Sequence, residues 1–267
     1  MSVDSGADHL NDELQVVEPS VAMTQWIYLH HLIVRCGGFV EYIDSDPDLP
    51  DMVFTANAGI VHNGRAVVSN FKHHERKGEE RYFQSYFSSR GLDVLYPKHH
   101  FEGQGDSFIL HDTLFLGCGK PNQFYYRSSR DCASSIAEFL GVRDIFFCHI
   151  SHSFFYHLDT CFFPLKSLTD DVIHILYAQD AFDADTKERF SAMPPEKFRF
   201  HPVIREEASD FVCNSIQLGN HVIMPKSLGG NTMRLVLSLG EYKVHEVQMS
   251  EFLKAGGAAR CLSLNIG

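Results

Sequence analysis

Apolar and polar positions along this chain alternate in short bursts, each the length of a strand or a modest helix. Phe39–Ile43, Ala66–Val68, Val94–Tyr96, Thr113–Leu116, Val172–Tyr177, His221–Met224, Val244–Val247 and Cys261–Leu264 are apolar or β-branched runs bounded by turn residues, and they predict strands. Between several of them the spacing changes to a helical period. Ser20–Val34 places Val21, Trp26, Leu29 and Ile33 on one stripe, with Ser20 as the expected N-cap after Pro19. Glu75–Phe87, Asp131–Leu140 and Asn231–Leu239 read as further helices. Helices that alternate with strands predict the α/β class. The alternation returns roughly every 50 residues, which suggests a repeated unit. No low-complexity linker interrupts residues 1–267, so a single domain is expected.

Composition narrows the function. The 267 residues carry 23 Lys+Arg against 34 Asp+Glu, a formal net charge of −11, and 44% of them are hydrophobic. A chain of this size buries roughly three quarters of its unfolded surface and needs no disulfide or metal to hold a core. The acidic balance argues against nucleic acid as a partner, because phosphate contacts draw on an excess of Lys and Arg. It suits a small cationic substrate. The first residues, Met1 to Asp8, lack the basic and apolar regions of a signal peptide, and no apolar run approaches ~18 residues, so no membrane partner is expected. Seven cysteines, at 36, 118, 132, 148, 161, 213 and 261, include no CxxC pair, which predicts a reduced cytoplasmic protein. Phosphate-loop, GxSxG, complete GxGxxG and HExxH signatures are absent. The cluster Cys148, His149, His152 and His157 lacks the paired spacing of a zinc site, so neither a metal nor a cofactor is expected. Self-association into a homo-oligomer is compatible with the sequence.

Four segments carry polar residues suited to chemistry. In Pro50–Gly59, Asp51 and Asn57 bracket a strand-like apolar run, and Asn57 reads either as a turn residue or as a ligand. In Phe101–Asp106, Glu102 and Asp106 sit among glycines, as in a solvated turn or a close-approach site. His157 and Asp159 are two apart, so an extended backbone turns both to one side, as an acid/base pair or as a satisfied structural histidine. Cys261 follows the Gly/Ala-rich stretch Ala255–Arg260 and enters the last expected strand, either as an inert buried thiol or as a nucleophile with room beside its sulfur. Taken together they describe a cysteine nucleophile, a histidine, and several carboxylates or amides. That set fits a guanidinium, which stays charged and offers planar N–H forks to carboxylates.

The segments PDMVFTANAG, FEGQGD, FYHLDTCF and EFLKAGGAARCLSL resemble the guanidine-modifying superfamily of arginine deiminases, dimethylargininases, amidinotransferases and arginine dihydrolases, the dihydrolase branch most of all. The likeness runs in order from about Trp26 to Leu264. It implies a five-bladed α/β propeller (pentein) of ββαβ units around a polar site. It also implies hydrolysis of arginine or a close analogue through a covalent amidino-thioether, with release of ammonia. Carried over, Cys261 is the nucleophile and His157 the general acid/base; Glu102 and Asp159 hold the guanidinium. Asn57 stands where deiminases have Asp, Arg127 takes the substrate carboxylate, and Asp51 and Asp106 act as positioning groups. Amidino transfer, dimethylargininase-type activity and a catalytically silent ligand-binding protein are the alternatives. Three positions depart from the pattern. Asp8 stands where the family has Asn, Asn70 replaces a carboxylate-binding Arg, and Lys120–Tyr126 reads as an insertion. Lys120 and Arg65 are candidates to compensate for the lost cation.

Overall fold

The computed structural model describes residues 16–119 and 126–267, so Asp8 and Lys120 lie outside the described residues. The fold is α/β. Helix α1 (Pro19–Arg35) begins one residue earlier than Ser20: Pro19 occupies the first turn, and Glu18 is the N-cap. Proline has its φ already set for a helix and lacks an N–H that would go unpaired there. Ser20 instead hydrogen-bonds the Glu18 carboxylate.

Four three-stranded sheets follow among the described residues, and each has the same plan. An antiparallel hairpin leads into a helical crossover, which returns a third strand parallel to the second. The first sheet contains β1 (Gly59–His62), β2 (Arg65–Val68) and β3 (Asp93–Leu95), with helix α2 (Glu80–Ser89) in the crossover. The second contains β4 (Ser107–Leu110), β5 (Thr113–Cys118) and β6 (Asp144–His149), with the helix Ala133–Leu140. The third contains β7 (Phe162–Lys166), β8 (Ile173–Ala178) and β9 (Phe198–Val203). The fourth contains β10 (Ile216–Leu218), β11 (His221–Pro225) and β12 (Lys243–Val247). The middle strand of each sheet is paired on both edges. Leu114–Leu116 and Val222–Met224 are buried on both faces, which is why they read as continuous apolar runs.

The chain forms two compact units, one of Tyr42–Asp159 with Cys261–Gly267, the other of residues 16–41 with Thr160–Arg260. In the first, Leu114 and Leu116 of β5 pack with Val67, Phe101, Ile136 and Leu140, and a second cluster gathers Phe83 and Phe87 around Ala66 and Val68. In the other, Phe190 stacks on Phe200 at 4.5 Å and meets Phe182 edge-on. No helix is long and apolar enough to cross a membrane among the described residues.

Two expected strands are irregular segments. Phe39–Ile43 joins no ladder, and Phe39 and Tyr42 are exposed. Cys261–Leu264 is a turn followed by irregular chain; its backbone partners come from elsewhere, the Cys261 carbonyl accepting from Ala56 N at 3.1 Å.

Candidate active site

All the residues singled out in the sequence and described here belong to the unit Tyr42–Asp159 with Cys261–Gly267. Asn57 sits in the 3-10 turn Thr55–Ala58, which leads into β1. Glu102 precedes the single helical turn Gly103–Asp106, which leads into β4. His157 and Asp159 lie in a bend and a 3-10 turn rather than on a strand. The period-two argument for their common side, which needs an extended backbone, therefore does not apply. The glycine-rich segment is not a solvated turn, because Glu102 is fully buried.

The polar groups form a connected set. His157 Nε2 and Glu102 Oε2 are 2.7 Å apart. On the other side of the ring, His157 Nδ1 faces Asn57 Nδ2 at 3.4 Å. Which way the Asn57 amide points is fixed by Arg76, whose Nη1 donates to Asn57 Oδ1 at 2.8 Å. Guanidinium groups only donate, so the amide nitrogen must face the imidazole, and Nδ1 is left as the accepting nitrogen. Arg76 is itself held by Glu79 through two 2.8 Å bonds and caps the Asp51 carbonyl at 3.1 Å. Its charge persists although it is almost wholly buried: burial works against it, and the bonds to Glu79 overcome that and raise its pKa. Burial likewise pushes the Glu102 carboxyl up, but the His157 hydrogen bond and the Arg127 and Arg76 charges hold it well below the usual range. Glu102 is therefore an anion in the resting site.

Cys261 Sγ donates to Asp159 Oδ2 at 3.4 Å, with both residues buried. Residues 261–267 are clamped by Gln104, whose amide accepts from Asn265 N at 3.1 Å and donates to the Asn265 carbonyl at 2.6 Å. Glycines allow the approach. A Cβ at Gly105 would collide with Asn57 Nδ2, and Gly103, at φ +56°, would put one 2.5 Å from Gly59 N. Asp106 holds the frame: its Oδ1 accepts from Leu158 N at 3.2 Å and its Oδ2 from Ser128 Oγ at 2.6 Å, while Ser128 Oγ takes the Glu102 N–H at 2.9 Å. Burial lifts the Asp106 carboxyl to about 7. Asp51 offers its backbone carbonyl, not its carboxylate, to Arg76.

Arg127 lies over the Tyr156 ring at 4.9 Å, and the Tyr156 ring centroid is 4.8 Å from that of His157. The Nε of Arg127 is buried and has no hydrogen-bond partner among the described residues. Lys120 and Arg65 are the expected substitutes for the missing arginine. Lys120 is not described, and Arg65 donates at 2.7 Å to the Phe139 carbonyl, against the helix Ala133–Leu140. Asn70 itself is bound to the Pro97 and Lys98 carbonyls. The cation near Arg127 is Lys72, whose pKa is lowered by burial and then by the Arg127 charge. Its Nζ donates to the Tyr126 carbonyl at 2.7 Å. Sequence reading missed Arg76, Glu79, Gln104 and Lys72. The signal for the first two is an i,i+3 Arg–Glu pair in a helical stretch, which ordinarily marks an exposed face.

The family described as N,N dimethylarginine dimethylhydrolase, eukaryotic, matches residues 8–266. The chain belongs to that family. Within it, the chain is 38% identical over 250 residues to the bifunctional arginine dihydrolase/ornithine cyclodeaminase ArgZ of Synechocystis sp., covering 92% of this chain and 33% of that protein. It thus spans about a third of the length of that curated relative. It is 32% identical over 250 residues to the N(G),N(G)-dimethylarginine dimethylaminohydrolase of Mycobacterium tuberculosis, covering 94% of this chain and 77% of that one. Among solved structures, the N-terminal domain of ArgZ covalently bonded to a reaction intermediate superposes with a TM-score of 0.86 at 33% identity, covering 100% of this chain and 93% of that chain.

Proposed function

We propose that this family member hydrolyses arginine or a close guanidino analogue as a dihydrolase, removing both terminal nitrogens. The observation that carries the reading is the Asn57 amide, pinned by Arg76 with its N–H toward His157 and buried beside the Glu102 carboxylate system. An amide both donates and accepts, so this position suits a neutral ureido group as well as a guanidinium. Arg127 and Lys72 provide positive charge for the substrate carboxylate. Glu102 and Asp159 face the guanidinium. When the guanidinium takes Asp159, the Cys261 S–H loses its acceptor and its proton passes to the His157 imidazole. The thiolate then attacks the guanidinium carbon. His157 protonates the departing ammonia, leaving an amidino-thioether, and then takes a proton from the water that cleaves the C–S bond. One cycle consumes one water and yields ammonia and a ureido product. A second water at the same carbon releases a second ammonia and a carbamate, which loses carbon dioxide to give the free amine.

The wider reading treats 1–267 as one domain, a five-bladed propeller in which the four ββαβ sheets are four of the blades. The single family match across 8–266 supports it. The seven free thiols suit a cytoplasmic setting. A second reading, removal of dimethylamine from methylated arginines, is favoured by the Mycobacterium relative.

Incubation with arginine, methylated arginines, agmatine and guanidino acids, with ammonia and product mass followed, tests this. Two ammonia per arginine are expected, and Asn57→Asp should leave a citrulline-type ureido product with one. Release of dimethylamine from methylated arginine, with arginine untouched, would select the second reading. Cys261→Ala should abolish turnover on every substrate, and activity near wild type would remove the mechanism.

A further inference from the structure

The third and fourth sheets repeat one histidine arrangement. In the third, His174 of β8 pairs in register with Arg199, and His201 lies two residues further along β9. In the fourth, His221 of β11 pairs in register with Lys243, and His245 lies two residues further along β12. A two-residue offset keeps both imidazoles on one face of the sheet. The rings of each pair meet nitrogen to nitrogen, at 3.0 Å in the third sheet and 2.8 Å in the fourth. A bond between two imidazole nitrogens needs one of them to be a bare acceptor, the form that binds a metal.

Only the fourth pair gains a third ligand among the described residues. Cys36 caps the C-terminal end of α1, its N–H bonded to the Leu32 carbonyl at 2.9 Å. Its Sγ and one nitrogen from each of His221 and His245 all lie within 4.8 Å of one another. All three residues are half-buried, so an ion can reach them.

We propose that Cys36, His221 and His245 form a binding site for a borderline-soft divalent transition ion, with zinc as the first candidate; the site shares no residue with the Cys261 centre. One sulfur and two imidazole nitrogens are a zinc donor set, and three protein ligands leave a fourth, solvent-filled position. With metal–ligand bonds of about 2.0–2.3 Å, tetrahedral ligands stand roughly 3.3–3.8 Å apart. The two rings must therefore part slightly from 2.8 Å while the sulfur closes in, movements within side-chain reach of fixed strands. Binding releases the thiol proton: the free ion and the neutral Cys36–His221–His245 set become a thiolate complex plus one H⁺. The end of a 17-residue helix turns its partial negative charge toward the ion, while Arg35 and Lys243 oppose it and set an upper limit on affinity. The His174–His201 pair, with the same ring geometry and no cysteine, is a built-in control.

The test is titration of the full chain with Zn²⁺ by calorimetry and with Co²⁺ by absorption, in the wild type and in Cys261→Ser, which removes the proposed nucleophilic thiol as a competing ligand. Expected is one ion per chain in Cys261→Ser, with a thiolate-to-cobalt charge-transfer band. Cys36→Ser and His245→Ala should each weaken binding by on the order of 100-fold or more, since even outer groups around a metal are worth 10–100-fold. His174→Ala should leave binding unchanged. No binding in Cys261→Ser, or a band that survives Cys36→Ser, would overturn the proposal. Cys36→Ser is a small change at a half-buried position and should keep its thermal transition and its turnover, so lost binding would not reflect a lost fold.

Discussion

At the scale of single residues, the centre depends on which way one amide points. Arg76 never touches the substrate in the proposed reaction; it acts through Asn57, and Glu79 keeps it in place. Arg76→Lys keeps the charge but loses the planar fork. The expected result is a fall in kcat with little change in KM, by no more than the ~10²–10⁴-fold that acid/base catalysis supplies. Steady-state kinetics across pH would check it: a positioning role also moves the kcat profile, whereas loss of structure alone lowers active-site titre without moving it. The candidate site residues were legible in the sequence because four linked segments carry them in the order of a known family, although His157, Asp159 and Cys261 each read singly as ordinary core residues. Arg76 was not, because an arginine three residues before a glutamate looks like any solvated helix face until its burial is known.

At the scale of elements, the polar segments left their local shape open: Asn57 read as a turn residue beside a strand-like run, and His157 and Asp159 shared a side only if extended. The runs around Asn57 and before Asp159 alternate like strands, yet they fold as 3-10 turns. Their backbone partners lie far along the chain, as with Ala56 and Cys261, so local pattern could not decide them. The hairpin turns, by contrast, were written locally. Asn63 and Gly64, with φ of +50° and +73°, join β1 to β2, the Asn-Gly signal of a two-residue hairpin. In the second sheet's entry turn Gly105 faces the Asn57 side chain and Gly103 faces backbone. Gly105→Ala should displace Asn57 and remove most turnover while the fold survives. Gly103→Ala, facing backbone at φ +56°, should cost stability instead, and thermal unfolding alongside ammonia release would separate the two.

At the scale of the whole molecule, the repeated plan of hairpin, helix and parallel strand was legible as a recurring alternation, because each middle strand must be apolar on both faces. Places where distant segments converge were not, and Cys36 with His221 and His245 is the plainest case. Global stability should also carry the mark of Asp106. Its carboxyl titrates near 7 when folded and near ~3.9 when unfolded. Between those values the native protein holds a proton that the unfolded chain has lost, so stability should fall as pH rises from about 4 to about 7, then level off. The slope contributed is at most on the order of one kcal/mol per pH unit. Denaturant unfolding at pH 4.5 and 7 should show a smaller difference for Asp106→Asn than for the wild type.

The bond from Cys261 to Asp159 has a consequence for damage. Peroxide oxidises a sulfur that has given up its hydrogen, and this one keeps it while the neighbouring anion is there to receive it. The resting thiol is thus sheltered, and its oxidation by hydrogen peroxide should quicken when a small guanidinium salt occupies Asp159. Wear on this protein would then be a toll of work rather than of age.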